Sequence, residues 1–317
     1  MAVAFSIGVR RSSDQALNHK ADQENGFWLP GEDDRTLILI HGLTGTPNEL
    51  KFLANFFNRK GYTVVCPRLA NHGRPMDILK TTTWQACYQS VREAYVKIQA
   101  KGRSGPVFTA GLSMGALLAL LLAEEFPDEI AGVSCLSPTF FYDGWNMPWY
   151  RHVLFPLCCL TPLRQFFYFK EEPPYGIKNA AIRQRVHHYY SRATLHDVDG
   201  VAKHGYPYIP ATLLYQLHLC VRHLRPRLPL IRVPVQLIQA QHDDMTSVKN
   251  SLFIYRKVGS QMKELELLQN SYHVVTADQE REVVAQKMLE FFTRLQGGAT
   301  TTPADACPSG DDALLAS

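Results

Sequence analysis

The sequence predicts an α/β fold, a mostly parallel central sheet flanked by helices, and three observations carry that expectation. Thr36–Ile40 is an apolar, β-branched run without polar alternation and Val107–Ala110 a short apolar run, the pattern of strands buried on both faces, and Tyr62–Cys66 and Val235–Ala240 read as further strands. Between them lie stretches of helical length with apolar residues at helical spacing, so strands and helices alternate. Glycine-containing bends follow the strands, and in such a sheet ligands bind beyond the carboxyl ends of the strands.

Composition bounds what this fold can be. With 317 residues, 46% of them hydrophobic and 20% charged, the chain can bury a large core and suits one domain with an insertion. A net charge of +4 without a Lys/Arg block or aromatic-basic interleaving gives no nucleic-acid footprint. Met1 to Asp14 carries no apolar run of secretory or spanning length, so a cytoplasmic protein is expected. The seven cysteines, Cys66, Cys87, Cys135, Cys158, Cys159, Cys220 and Cys307, lack C-x-x-C spacing and read as reduced, mostly buried thiols, with no metal or other cofactor expected.

In chain order, residues 1–26 read as a loose lead-in, and Phe27–Gly31 as an edge strand before the buried strand Thr36–Ile40. His41-Gly42-Leu43-Thr44-Gly45-Thr46-Pro47 is a glycine-rich bend, and Pro47 opens a helix to Lys60, stopped by Gly61. After the strand Tyr62–Cys66 and a loop over Pro67–Pro75, Thr83-Trp84 starts a helix through Gln99. Val107–Ala110 then leads into Gly111-Leu112-Ser113-Met114-Gly115 and a Leu/Ala-rich helix to Phe126. A G-x-S-x-G between strand and helix removes the Cβ atoms that would crowd the turn and presents the serine hydroxyl at its tip, although a bare match also fits a turn with a capping serine.

From Thr139 to Pro229 the composition shifts to aromatics, prolines and basic groups, with eleven Lys or Arg against five Asp or Glu and seven of the twelve histidines. This is expected to be an inserted cap. Its segment Trp149–Phe169 carries only Arg151 and Arg164 as charges, and Pro156 and Pro162 prevent it from spanning a bilayer. Its aromatics, Trp149, Tyr150 and Phe155 among them, are expected to fold inward over Ser113 as an acyl pocket. The other reading turns them outward, with the surplus of positive charge, as a peripheral membrane contact. Ala211–Leu224 returns to the core as a helix with Leu213, Leu214, Leu217 and Val221 on one face. Val235–Ala240 ends in the loop Gln241–Thr246, and Glu264–Leu268 ends in Asn270–Val275. The expected organisation is a lead-in over 1–26, core over 27–138, cap over 139–210, core over 211–296 and a disordered tail over 297–317.

The His41–Gly45 bend, the Asn71-His72-Gly73 loop and the Gly111–Gly115 elbow together resemble the α/β-hydrolase superfamily, and within it bacterial carboxylesterases and monoacylglycerol lipases. The likeness runs from about Phe27 to about Leu295, broken after Pro138. Asn71 departs from the family, which usually has Gly there; Asn tolerates positive φ better than most residues with a Cβ. The resemblance implies a cap inserted after the sixth strand and a triad in the order serine, acid, histidine. It makes Ser113 the nucleophile, His273 the base and Asp243 the acid, with Asp244 as the competing carboxylate, whose other role would be to cap the helix starting near Ser247. It further implies oxyanion donation by the backbone N–H groups of Leu43 and Met114, with His41 and Gly42 lining the site.

The function so implied is a serine carboxylesterase that cleaves small-molecule carboxylic esters with an apolar acyl part through an acyl-enzyme. Monoacylglycerol lipase, lysophospholipase, thioesterase and small-substrate peptidase activities use the same three residues, and a non-catalytic ligand receptor on the same fold is the reading from another class. Dehalogenases and epoxide hydrolases resemble this fold but place Asp at the elbow.

Overall fold

The computed structural model describes residues 26–147, 151–193 and 198–297. The expected lead-in up to residue 25, the tail from residue 298, Trp149, Tyr150 and Cys307 lie outside the described residues.

Strand Thr36–Ile40 (β2) sets the layering. All five residues are buried, with Ile38 and Ile40 in one apolar cluster and Leu37 and Leu39 in the other, because successive side chains leave opposite faces. Around it, β1 (Gly26–Leu29), β3 (Thr63–Pro67), β4 (Val107–Leu112), β5 (Ile130–Leu136), β8 (Val235–Ala240) and β9 (Lys263–Leu268) form one sheet in the order β1-β3-β2-β4-β5-β8-β9. Only β1 runs antiparallel to its neighbour; β2 pairs with β3 and β4, and β5 with β4 and β8, all parallel. One face carries helices α2 (Trp84–Ala100), α3 (Met114–Glu125) and α4 (Ala211–Leu224); the other carries α1 (Lys51–Asn58) and α5 (Arg281–Gln296).

Every residue of α3 from Met114 to Ala123 is buried, as a helix apolar all round requires. It starts from the elbow and is wedged between sheet and flanking helices, so truncating one of its leucines to alanine would cost about 2–5 kcal/mol. Thr83 caps α2 by accepting the Ala86 N–H, as its place before Trp84 suggested. The helix expected over Pro47–Lys60 begins as a 3₁₀ turn, Pro47–Leu50, continues as α1, and ends before Gly61 at φ 92°. Asn71 sits at φ 63°, the conformation expected of it. The six described cysteines are buried and unpaired.

Among the described residues, five strands precede the segment starting at Thr139, where a cap after a sixth strand was expected. The segment holds short helices and an antiparallel pair, β6 (Tyr168–Lys170) with β7 (Tyr208–Pro210). Its apolar side chains divide. Phe140, Cys158 and Cys159 are buried and Phe155 and Phe169 pack against the core, but Val153, Leu157, Leu160, Leu163 and Phe167 are exposed and Phe166 is 77% exposed. Of the aromatics expected to fold inward, Phe155 does so, while Trp149 and Tyr150 lie outside the described residues; the outward side chains between 153 and 167 sit on short helical turns of which only one side can reach the core. No described helix is long and apolar enough to cross a membrane.

Candidate active site

Five strand ends converge on one point at the carboxyl edge of the sheet: β2 leads to His41, β4 to Ser113, β5 to Thr139, β8 to Asp243 and β9 to His273. Ser113 is held at φ 57°, ψ −116°, between β4 and α3, a backbone conformation that residues with a Cβ rarely adopt. The flanking glycines make it possible. A Cβ on Gly111 would lie 2.1 Å from the Gly115 carbonyl, and one on Gly115 would lie 2.2 Å from the Ile40 carbonyl oxygen. A capping serine is ruled out for Ser113, whose side chain makes no cap hydrogen bond to the helix. Its hydroxyl instead lies 2.8 Å from Thr139 Oγ1, with Thr139 fully buried. Among the described residues no hydrogen bond joins Ser113 to His273; such bonds often tighten only with substrate bound.

The two carboxylates of the Gln241–Thr246 loop separate clearly. Asp243 Oδ2 lies 2.9 Å and Oδ1 3.1 Å from His273 Nδ1. Asp243 is also fixed by the backbone N–H groups of Met245 and Thr246 at 2.9 and 2.8 Å, the Thr246 hydroxyl at 3.1 Å and the Gln239 amide at 3.2 Å. Asp244 caps no helix. Its carboxylate accepts the Gly176 N–H at 3.0 Å and the His273 N–H at 3.3 Å, while Ser247 is held by Asp143. Burial, and then the negative charge of Asp243, lift the Asp244 carboxyl above its ordinary range. Burial alone would depress His273, but Asp243, Asp244 and Glu171 outweigh it and hold the imidazole above its usual 6.5.

The His41–Gly45 loop closes the site from the other side. His41 braces it: Nε2 accepts the Leu69 N–H at 3.1 Å, which leaves Nδ1 to donate to the Gly42 carbonyl at 3.0 Å. His72 donates from Nε2 to the Leu43 carbonyl at 2.8 Å. Burial holds both rings below their ordinary range, opposed at His72 by the Leu43 carbonyl at Nε2 and the Ala70 carbonyl 3.1 Å from Nδ1. Leu43 and Met114 are buried beside Ser113, and among the described residues neither backbone N–H has an acceptor.

Sequence reasoning missed four contributors. Thr139 faces Ser113, Glu49 accepts the Gly42 N–H at 2.6 Å, Glu171 is buried within reach of the charges of Asp244 and His273, and Gly176 accepts the Val274 N–H at 2.8 Å beside His273. No spacing rule signals them: Thr139, Glu171 and Gly176 are far in sequence from their partners, and Glu49 reaches back seven residues to its own loop. Burial raises both Glu49 and Glu171 to about 7. A cavity of about 340 Å³ opens at Thr139 and runs between Phe140, Tyr142, Phe155, Leu214, Leu217 and Val221. Among the described residues no cluster of His, Cys, Asp and Glu could hold a metal ion.

Comparison with known proteins accords with this geometry. Residues 31–280 match a hydrolase family described as serine aminopeptidase, S33. A thermostable monoacylglycerol lipase from Bacillus sp. (strain H-257) is 28% identical over 263 residues, 82% of this chain and 91% of that protein. A carboxylesterase from Bacillus subtilis (strain 168) is 25% identical over 83% of this chain and 94% of its own length. Among solved structures, that of the metagenome-derived lipolytic enzymes LipS and LipT superimposes with a TM-score of 0.68 at 26% identity, covering 84% of this chain and 96% of the other. A soluble variant of monoglyceride lipase from Saccharomyces cerevisiae shares the fold with a TM-score of 0.66 at 18% identity, over 87% of this chain and 92% of its own.

Proposed function

The chain belongs to the S33 serine aminopeptidase family of α/β-hydrolases, and on that premise we propose that it is a serine ester hydrolase for carboxylic esters with an apolar acyl part. The observation that carries the reading is the Asp243–His273 pair at 2.9 Å on the loops that flank the Ser113 elbow. In the proposed cycle the Ser113 hydroxyl leaves Thr139 and attacks the ester carbonyl carbon while His273 Nε2 takes its proton. Asp243 stabilises the imidazolium through Nδ1. The Leu43 and Met114 N–H groups receive the oxyanion. The imidazolium then protonates the leaving alcohol, and water, activated by the same ring, attacks the acyl-enzyme and releases the acid and free Ser113.

The acyl preference follows from the cavity that begins at Thr139 and is walled by aromatic and branched side chains. Its volume suits a medium or long hydrocarbon chain better than an acetyl group. The family description names aminopeptidases, while the relatives above are named for lipase and esterase activity, and a largely apolar cavity that shares Thr139 with the Ser113 hydroxyl favours the latter chemistry here.

A second reading, monoacylglycerol lipolysis at a lipid surface, is favoured by the outward Val153, Leu157, Leu160, Leu163 and Phe166. In that reading residues 139–210 act as a cap whose outer side meets the lipid. Fluorophosphonate labelling joined to a series of p-nitrophenyl esters tests the proposal. Labelling at Ser113 with kcat/KM rising from acetate to octanoate supports it; absence of labelling or of ester turnover would leave a ligand-binding protein on the same fold.

A further inference from the structure

The Glu49 carboxyl stands at the His41–Gly45 loop with no part in the triad chemistry. Oε1 accepts the Gly42 N–H at 2.6 Å, and Gly42 directly precedes Leu43. The carboxyl also lies flat on Gly45, where a Cβ would meet Oε2 at 2.0 Å, Cδ at 2.4 Å and Oε1 at 2.6 Å. A Cβ on Gly42 would stand 3.5 Å from the same Oε1 and 3.6 Å from Ser113 Cβ, so carboxyl and nucleophile both adjoin one glycine. Glu49 reaches this place from the 3₁₀ turn Pro47–Leu50, which Thr46 caps through the Asn48 N–H.

Simple packing does not account for a carboxyl here. Burial lifts it to about 7, against the opposing pull of the Gly42 N–H and His273, so the site holds an acid at a position where an apolar side chain would avoid that desolvation. What a carboxyl oxygen supplies and an apolar group cannot is an acceptor for one backbone N–H in a loop rich in glycine. His41 Nδ1 already holds the Gly42 carbonyl, and Glu49 adds the second hold, on the N–H side of the same glycine; without it the His41–Gly42 peptide could turn and carry the next peptide with it.

We propose that Glu49 is a positioning residue for the oxyanion loop: by holding the Gly42 N–H and seating against Gly45, its carboxyl fixes the N-terminal side of Gly42 while His41 holds the Gly42 carbonyl, and the two together set the Gly42–Leu43 peptide so that the Leu43 N–H points at the substrate oxygen. The proposal rests on the esterase reading and on Leu43 as an oxyanion donor. Because the oxyanion exists only in the tetrahedral state, the contribution falls on kcat and not on substrate binding. Either protonation state of the carboxyl keeps an acceptor oxygen, and so does an amide.

The test uses the full chain and compares wild type, Glu49→Leu, Glu49→Gln and Gly45→Ala for kcat, KM, inhibition by an alkyl boronic acid that forms a tetrahedral Ser113 adduct, and rate of fluorophosphonate labelling. Wild-type turnover establishes the esterase reading by itself, and its absence defeats that reading before Glu49 is at issue. Glu49→Leu is expected to lower kcat by about 10–100-fold and weaken the boronate similarly, with KM within about twofold, less than the complete removal of an oxyanion donor. Glu49→Gln should recover kcat to within about threefold of wild type. Gly45→Ala, which keeps Glu49 but displaces it, should reproduce the Leu defect and stands in if the Leu variant does not fold. Equal losses in the Leu and Gln variants, a loss confined to KM, or full activity in both Glu49→Leu and Gly45→Ala would overturn the proposal.

Discussion

Asp243 and Asp244 grip the same histidine by different ends: Asp243 Oδ2 lies 2.9 Å from the His273 ring at Nδ1, whereas Asp244 Oδ1 accepts the His273 backbone N–H at 3.3 Å. Only the first contact can stabilise an imidazolium through the ring. Asp243→Asn is expected to lower kcat by about 10⁴-fold, since an amide favours the wrong tautomer and carries no charge. Asp244→Asn keeps one acceptor for the loop and is expected to leave well over a hundred times more activity than Asp243→Asn. Steady-state kinetics of the two variants check the ranking; the reverse order would move the acid to Asp244.

The acid limb of the pH profile gives a second outcome. His273 must be neutral to accept the serine proton, so activity is absent below its pKa and is gained as pH rises through it. Because Asp243, Asp244 and Glu171 outweigh burial and raise that pKa above 6.5, the limb of kcat/KM is expected above pH 6.5. Asp244→Asn removes one of those charges and should move the limb to lower pH. A wild-type limb at or below 6.5, or one unmoved in Asp244→Asn, would show that these carboxylates do not govern the ring.

Much of this site was legible because the candidate residues sit where strands end. Thr36–Ile40 and Val235–Ala240 coincide with β2 and β8, and Ala211–Leu224 with α4, since long periodic or unbroken apolar runs admit few alternatives. Ser113, Asp243 and His273 follow from such ends. Thr139, Glu49 and Glu171 do not. Thr139 reaches Ser113 from the neighbouring strand end, Glu49 folds back onto its own loop, and Glu171 is buried near the charges of Asp244 and His273, none of which periodicity encodes. Between Thr139 and Pro210, composition told that aromatics are plentiful but not which side of each short turn faces the core, so the split between the inward Phe155 and the outward Phe166 was not legible.

The stretch 153–167 leads to a third prediction. Val153, Leu157, Leu160, Leu163 and Phe166 are exposed on a segment that also bears Arg164 and Lys170. Sedimentation with anionic vesicles at low salt should pellet the protein, neutral vesicles should pellet less, and replacing Phe166 and Leu163 with Ser should weaken both. Absence of pelleting with either vesicle would remove the lipid-surface reading while leaving the esterase reading intact.

A fourth prediction concerns stability. Burial raises the Glu171 carboxyl from its ordinary 4.5 to about 7, with Asp244 raising it further and His273 opposing. The folded chain thus binds this proton more tightly than the unfolded one. The group's contribution is full below about pH 4.5 and is lost as pH rises through about 7. Glu171→Gln should therefore gain thermal stability relative to wild type between about pH 5 and 8, read as a widening difference in Tm. A Tm difference constant over that range would mean that the carboxyl stays ionised.

The central claim, that Ser113 at the elbow is the nucleophile of an ester hydrolase, is tested most directly by replacing its oxygen alone. Ser113→Ala removes one atom from a buried position and should leave the fold, the cavity and the Asp243–His273 pair in place. The purified variant is measured beside wild type for p-nitrophenyl ester turnover and fluorophosphonate labelling. The account predicts that turnover and labelling vanish together while the thermal unfolding midpoint is retained. Turnover near the wild-type rate in a folded Ser113→Ala protein would contradict it.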